Sequence, residues 1–127
     1  MKILVIIPAY NEEENISRVV DNLIENYPRF DYVVVNDGSR DDTARICRSK
    51  GYNLIDLPVN LGLAGGFQAG LKYAYLNGYD AAIQFDADGQ HLPQYIQPMI
   101  EEMETKDVDI VIGNGVFGKQ RISVDTF

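Results

Sequence analysis

An unbroken apolar run near the amino terminus, followed at once by a proline, sets the strongest constraint on the fold. Residues 3–7 are five aliphatic side chains in a row, and Pro8 follows them. A run without polar alternation is typical of a β-strand covered on both faces, as in a parallel sheet between two layers of helices. The run therefore predicts an interior strand of an α/β domain.

Strand and helix patterns alternate along the rest of the chain, with short connections. Further strands are predicted at residues 32–35, 53–57, 79–85 and 108–112. Such alternation favours an α/β fold with a mostly parallel central sheet, helices on both faces and right-handed crossovers. Because ligands bind beyond the carboxyl ends of the strands in such sheets, that edge is the predicted site.

Four helices are predicted between these strands from apolar spacing and end signals. Asn11 and Glu14 resemble a capping box for the first, Asp41 to Thr43 open the second, and Gly51 ends it. Pro93 suits the first turn of the fourth. The positions predicted to face the core in the first and third helices are Ile16, Val19, Val20, Leu23, Ile24 and Tyr27, and Leu63, Phe67, Leu71 and Ala74.

Charge and cysteine content exclude several classes of function. The chain has 127 residues, enough for one domain, and a net charge of −8, which argues against binding nucleic acid. Its one cysteine, Cys47, excludes an intrachain disulfide and is predicted to be a small buried side chain. No apolar segment approaches the roughly 18 residues that span a bilayer. A cytoplasmic protein is expected.

An acidic cluster follows the fourth predicted strand. Asp86 and Asp88 project to the same side of extended backbone, and Gln90 continues that parity. Paired carboxylates with a neutral carbonyl suit a hard divalent cation such as Mg²⁺ or Mn²⁺. An acidic turn that opens the next helix is the alternative.

Two glycine-rich segments are candidates for phosphate loops. The segment at residues 62–66 misses the Gly-x-Gly-x-x-Gly spacing, and close packing of its helix on the sheet explains it equally well. The segment at residues 113–119 has Gln120 where an ATP-binding loop needs Ser or Thr. A phosphorylated receiver domain also has acidic strand ends, but the late lysine is not in the expected order.

Four motifs in order resemble the amino-terminal, nucleotide-binding half of family 2 glycosyltransferases with the GT-A fold. They are Pro-Ala-Tyr-Asn-Glu at 8–12, Asn-Asp-Gly-Ser at 36–39, Asn-Leu-Gly at 60–62 and Asp-Ala-Asp-Gly-Gln-His at 86–91. The last is most similar to enzymes that load sugars onto polyprenyl phosphates, such as dolichol-phosphate mannose synthases. We expect one domain, 1–127, without the acceptor-binding half of the family.

The resemblance implies a role for each matching residue. The residues that would bind the nucleotide are Pro8, Ala9, Tyr10, Glu12, Asp37, Gly62 and Asp86. Those that would hold the divalent cation are Asp86, Asp88 and Gln90. A catalytic base is expected beyond Phe127. Gly113-Asn114-Gly115 stands where the family has Gly-Ser-Arg, and Lys119 or Arg121 is a candidate substitute for that arginine. His91 would either approach a phosphate or stabilise its turn.

The implied reaction is sugar transfer, with inversion, from a UDP- or GDP-sugar to a lipid phosphate or a growing glycan. Cell-wall biogenesis and a peripheral position at the inner membrane face would follow. A donor-binding module or inactive remnant is the alternative. Disorder or subunit contacts are predicted after Gly115, because a half-domain leaves its last strand edge open.

Overall fold

The computed structural model describes residues 2–84 and the backbone of residues 110–112. The elements, in chain order, are β1 Ile3–Ala9, α1 Ile16–Asn26, β2 Asp31–Asp37, α2 Thr43–Ser49, β3 Leu54–Leu57, α3 Gly62–Leu76, β4 Ala81–Gln84 and β5 Ile110–Ile112. The predicted alternation of strands and helices is confirmed. The predicted helix after Pro93 and the tail after Gly115 lie outside the described residues.

One parallel sheet organises these elements. Its strand order is β3-β2-β1-β4-β5, and every recorded pairing is parallel. β1 lies at the centre, with Leu4 aligned with Asp31 on one side and with Ala82 on the other. Strands β2 and β3 lie on one side of β1, and the chain then crosses over the sheet so that β4 pairs with β1 on its other side. Strand order therefore reverses beside β1, where doubly wound sheets bind ligands.

The two faces of the sheet carry separate apolar layers. On one face, Val5 and Ile7 of β1 pack with α1 and with Cys47 of α2. On the other face, Leu4 and Ile6 pack with Leu71 of α3. All of these side chains are buried, as expected for a strand covered on both sides. The prediction from the run at residues 3–7, and that for Cys47, are confirmed.

Helix α1 begins later than predicted. It starts at Ile16, and Asn15 at the cap position makes no side-chain cap hydrogen bond. The predicted capping box is therefore wrong: Asn11 adopts a left-handed backbone conformation with φ 54°, which a residue opening a helix does not have. Asn11 instead bonds the loop after β2. Ile24 is also misassigned to the core, since 45% of it is exposed.

Helix α3 lies close to the sheet through its glycines. A Cβ atom added to Gly70 would lie 2.6 Å from Cγ2 of Ile6, so the helix backbone packs directly on that side chain. Leu71 and Ala74 are buried, as predicted. Leu63 was predicted on the same face, but it lies in the first turn and is 58% exposed, whereas the buried residues of α3 begin at Gly66. Among the described helices, none is long and apolar enough to cross a membrane.

Candidate functional site at the carboxyl edge of the sheet

Parallel pairing brings the ends of β1 and β2 to one edge, and β4 runs toward the same edge. β1 ends at Ala9 and β2 at Asp37, and β4 is described as far as Gln84, which is aligned with Ile6. Helices α1 and α3 cover opposite faces of the sheet. In doubly wound sheets, ligands bind beside the point where strand order reverses, which here lies between β1 and β4. The structure thus brings the predicted segment at residues 8–10 and the predicted Asp37 to the same edge.

The β1 end combines buried backbone with one accessible ring. Pro8 continues the strand and is aligned with Val35 of β2. Ala9 is buried and Tyr10 is 43% exposed. The edge therefore offers a rigid backbone and a Tyr10 ring that a nucleoside can reach.

Asp37 is a buried carboxylate held by the loop that precedes α3. Its side chain is 5% exposed, and its Oδ1 accepts a hydrogen bond from the Leu61 N–H at 2.6 Å. Asn60 adds a bond from its Nδ2 to the Asp37 carbonyl at 3.2 Å. The loop before α3 thus orients Oδ1, and Oδ2 makes no recorded hydrogen bond to residues 2–84.

Gly62 has a conformational role at the start of α3. Its φ is +83°, and its N–H donates to Asn60 Oδ1 at 3.1 Å. A Cβ there would meet no described atom within 4 Å. Gly38 differs, because a Cβ there would lie 2.4 Å from the Asn60 backbone nitrogen. The loops after β2 and β3 are thus in backbone contact at Gly38, while the space beside Gly62 is open.

Glu12 supports the turn before α1. Its carbonyl accepts hydrogen bonds from the N–H groups of Asn15 and Ile16, and its Oε2 accepts one from Asn15 Nδ2 at 3.1 Å. Its own N–H donates to Thr43 Oγ1 at 2.9 Å. The structure thus gives Glu12 intramolecular partners, and a role in binding nucleotide stays a prediction.

Several further bonds join the loop after β1 to the loop after β2. The Glu13 N–H donates to Asp41 Oδ2 at 3.1 Å, and the Asp42 N–H donates to Glu13 Oε2 at 3.2 Å. Thr43 Oγ1 donates to Asp41 Oδ1 at 2.5 Å. Burial pushes the pKa of the Asp41 carboxyl up, but hydrogen bonds from Thr43 and Glu13 outweigh burial, so that pKa lies below its usual value.

The sequence did not indicate that several polar residues at this edge form hydrogen bonds that hold the loops together. Asn36 is 2% exposed, donates from Nδ2 to Asp56 Oδ1 at 2.7 Å, and accepts from the Ser39 N–H at 3.3 Å. Arg48 bonds the other oxygen of Asp56. One sequence signal could have indicated this: Asn36 directly follows the strand predicted at residues 32–35, and a polar side chain buried there needs hydrogen-bond partners.

The predicted metal ligands Asp86, Asp88 and Gln90 lie outside the described residues, as does His91. Within residues 2–84, no group of three or more His, Cys, Asp or Glu side chains is arranged to hold a metal ion. The predicted donor set, two carboxylates and one amide oxygen, matches what Mg²⁺ and Mn²⁺ prefer. The metal site stays a prediction from sequence, adjacent in the chain to the end of β4.

Comparison with known proteins identifies the family. The model of glycosyl transferase family 2 matches residues 4–125. The chain belongs to this family. This family 2 chain is 33% identical over 119 residues to an undecaprenyl-phosphate mannosyltransferase of Micrococcus luteus, covering 90% of the chain and 48% of that protein. The resemblance inferred from the four motifs is confirmed at the level of the family.

A second relative and a solved structure extend the comparison. The chain is 37% identical over 131 residues to a UDP-N-acetylglucosamine–dolichyl-phosphate N-acetylglucosaminyltransferase of Methanococcus voltae, covering 90% of the chain and 52% of that protein. Glucosyl-3-phosphoglycerate synthase of Mycobacterium tuberculosis has the same fold, with TM-score 0.69 and 22% identity over 84% of this chain and 40% of the other. The chain spans about half the length of these relatives, and the GT-A architecture is confirmed.

Proposed function

We propose that this family 2 domain binds the donor in a transfer of sugar from a nucleoside diphosphate to a polyprenyl phosphate. The observation that carries the proposal is the shared carboxyl edge, where Tyr10 is accessible beside a buried Asp37 with one oriented oxygen. Relatives that act on undecaprenyl and dolichyl phosphates support a lipid phosphate acceptor over a growing glycan.

On the donor side, each residue has a distinct task. The backbone of Pro8 and Ala9 lines the nucleoside pocket, Tyr10 lies against the base, and Asp37 Oδ2 accepts a hydrogen bond from the base or ribose. Asp86, Asp88 and Gln90 would hold a divalent cation. That cation, when bound, supplies a Lewis acid that stabilises charge on the departing diphosphate. The solved synthase, crystallised with Mn²⁺ and UDP-glucose, supports a cation in this fold.

The acceptor side of the reaction follows from its chemistry. A lipid phosphate is already an oxyanion, so its attack on the anomeric carbon needs little general-base assistance. Direct attack from the face opposite the diphosphate inverts the sugar. We place the enzyme at the cytoplasmic membrane surface, where a lipid phosphate is accessible, and we propose that acceptor contacts come from residues outside 2–84.

A donor-binding module without turnover is the second candidate. The observation that favours it is that the chain matches about half of each curated relative described above. Both candidates require nucleotide binding. They are separated by incubating the chain with a radiolabelled UDP- or GDP-sugar and short polyprenyl phosphates, and by measuring labelled lipid.

Calorimetric titration of the 127-residue chain with UDP and GDP tests donor binding directly. We expect one nucleotide to bind in Mn²⁺ and to bind at least tenfold more weakly in EDTA or after Asp88→Ala. Asp80→Ala is the matched control, since Asp80 bonds the Lys2 N–H at the opposite edge of the sheet. Binding that is unchanged by both metal removal and Asp88→Ala would contradict the metal bridge, and no binding at all would contradict the donor site.

A further inference from the structure

Asn11 has an uncommon backbone conformation at a junction between two loops. Its φ of 54° places it in the left-handed region, which asparagine tolerates better than most residues other than glycine. Its N–H donates to Ser39 Oγ at 2.9 Å, and its Oδ1 accepts from the Arg40 N–H at 2.9 Å. One residue after β1 thus bonds two successive residues of the loop after β2.

These two bonds belong to a reciprocal set that we call the loop clasp. It joins residues 11–13 to residues 39–43 through five hydrogen bonds: Asn11 N–H to Ser39, Arg40 N–H to Asn11, Glu12 N–H to Thr43, Glu13 N–H to Asp41 and Asp42 N–H to Glu13. Three of the bonds are donated by the loop after β1 and two by the loop after β2. Because a shift of one loop along the other would break all of these bonds, the clasp fixes the two loops in one register.

The clasp lies immediately next to the proposed nucleoside contacts. Tyr10 precedes Asn11 in the chain, and Asp37 lies two residues before Ser39. Fixing Asn11 against Ser39 therefore also limits how far the backbone of Tyr10 can move relative to that of Asp37. A pocket held in its binding geometry before the ligand arrives avoids the cost of ordering it on binding.

We infer that Asn11 is a positioning residue for the nucleotide, an inference that rests on the proposed donor-binding function. It meets two requirements at once, a left-handed backbone and a side-chain acceptor for Arg40. Glycine meets only the first. Alanine meets neither, because its Cβ strains a left-handed backbone and its side chain has no acceptor. Aspartate meets both, so Asn11→Asp is the conservative replacement.

The test measures Kd for UDP and GDP by calorimetry in wild type, Asn11→Gly, Asn11→Asp and Asn53→Ala. Asn53 is a matched control: its Nδ2 bonds the Tyr32 carbonyl at 3.1 Å at the amino edge of the sheet. We expect Asn11→Gly to bind about three- to tenfold more weakly, because the loops must then be ordered when the nucleotide binds, and Asn11→Asp to recover most of the affinity. Asn53→Ala should lower Tm without changing Kd.

Hydrogen exchange in the nucleotide-free protein gives a second readout. The Arg40 amide should exchange faster in Asn11→Gly than in wild type or Asn11→Asp, because it has lost its acceptor. If wild type binds a nucleotide and Asn11→Gly binds it equally well, the positioning role is wrong while the proposed function stands. If wild type binds neither nucleotide, the proposed function fails, and the inference that depends on it fails too.

Discussion

The carboxylate of Asp37 and the backbone N–H of Leu61 are joined by a 2.6 Å hydrogen bond across two loops of the carboxyl edge. Oδ1 of Asp37 therefore has a structural role, whereas the role that we propose for Oδ2 is to bind the nucleotide. Asn60 reinforces the bond to Leu61 from the same side by bonding the Asp37 carbonyl. A single acidic residue at the end of β2 thus holds the loop that leads into α3.

Substitutions of Asp37 separate these two tasks. Asp37→Asn keeps an oxygen for the Leu61 N–H, so its Tm should stay near that of wild type. Asp37→Ala leaves that donor without its acceptor and should destabilise the fold by about 1–3 kcal/mol. Both variants lose the carboxylate and should bind UDP or GDP several-fold more weakly by calorimetry. Full nucleotide affinity in a stable Asp37→Asn would contradict the binding role.

Gly38 and Gly51 form a matched pair for the contact between the loops. Both have φ near 70°, so alanine meets the same backbone strain at each. Only at Gly38 would the Cβ also meet backbone, 2.5 Å from the Val59 carbonyl carbon, whereas at Gly51 it meets no described atom within 4 Å. Gly51→Ala should cost about 1–2 kcal/mol and Gly38→Ala clearly more, measured by urea unfolding. Equal losses would show that the two loops separate easily.

The fold was predictable because its signals are local and repeated. The aliphatic run at residues 3–7 is buried on both faces, as such a run indicates, and Gly51 ends α2 with positive φ. The start of α1 was not predictable, since Asn11 is an acceptable cap in sequence but bonds Arg40, 29 residues away. Leu63 has the right helical spacing, yet its side chain is exposed. For Asn11, a long-range contact decides the outcome.

The candidate site was predictable in position but not in detail. Parallel strand order alone brings Asp37 to the edge beside residues 8–10. The partners of Asp37 come from the loop before α3, and no spacing rule indicates that Leu61 supplies an N–H. The ligand roles of Asp86 and Asp88 rest on the family and its motif.

Gly70 and Gly66 test how closely α3 packs on the sheet. A Cβ at Gly70 would lie 2.6–3.0 Å from three carbons of Ile6, which is itself fully buried and has little freedom to move. Gly70→Ala should therefore destabilise the fold by about 1–3 kcal/mol. Gly66→Ala meets only Val35 Cγ1 at 3.8 Å and gains helix propensity, so it should be neutral or stabilising. Denaturant unfolding of both variants measures the difference.

The reactivity of Cys47 measures how often α2 separates from the sheet, because this side chain is buried between them. Its side chain is fully buried, and burial raises the pKa of its thiol to about 11. A thiol-reactive reagent such as DTNB at pH 8 should therefore react much more slowly with native protein than with protein in denaturant. In the native protein the reagent cannot reach the sulfur, and little of the thiol is ionised to the reactive thiolate. Rapid native labelling would show that α2 detaches readily. Cys47→Ala supplies the background rate.

Thr43 links the loop clasp to acid stability. Its buried hydroxyl donates to Asp41 Oδ1 and accepts from the Glu12 N–H, so Thr43→Val removes both bonds in nearly the same volume. We expect Thr43→Val to lower the free energy of unfolding by about 1–3 kcal/mol at pH 7, as measured by urea denaturation. The folded pKa of Asp41 is depressed, so its share of stability is complete above the unfolded pKa of about 4 and disappears as pH falls through the folded value. The gap between wild type and Thr43→Val should accordingly narrow from pH 5 to pH 3. A constant gap over that range would show that the hydroxyl acts through Glu12 alone.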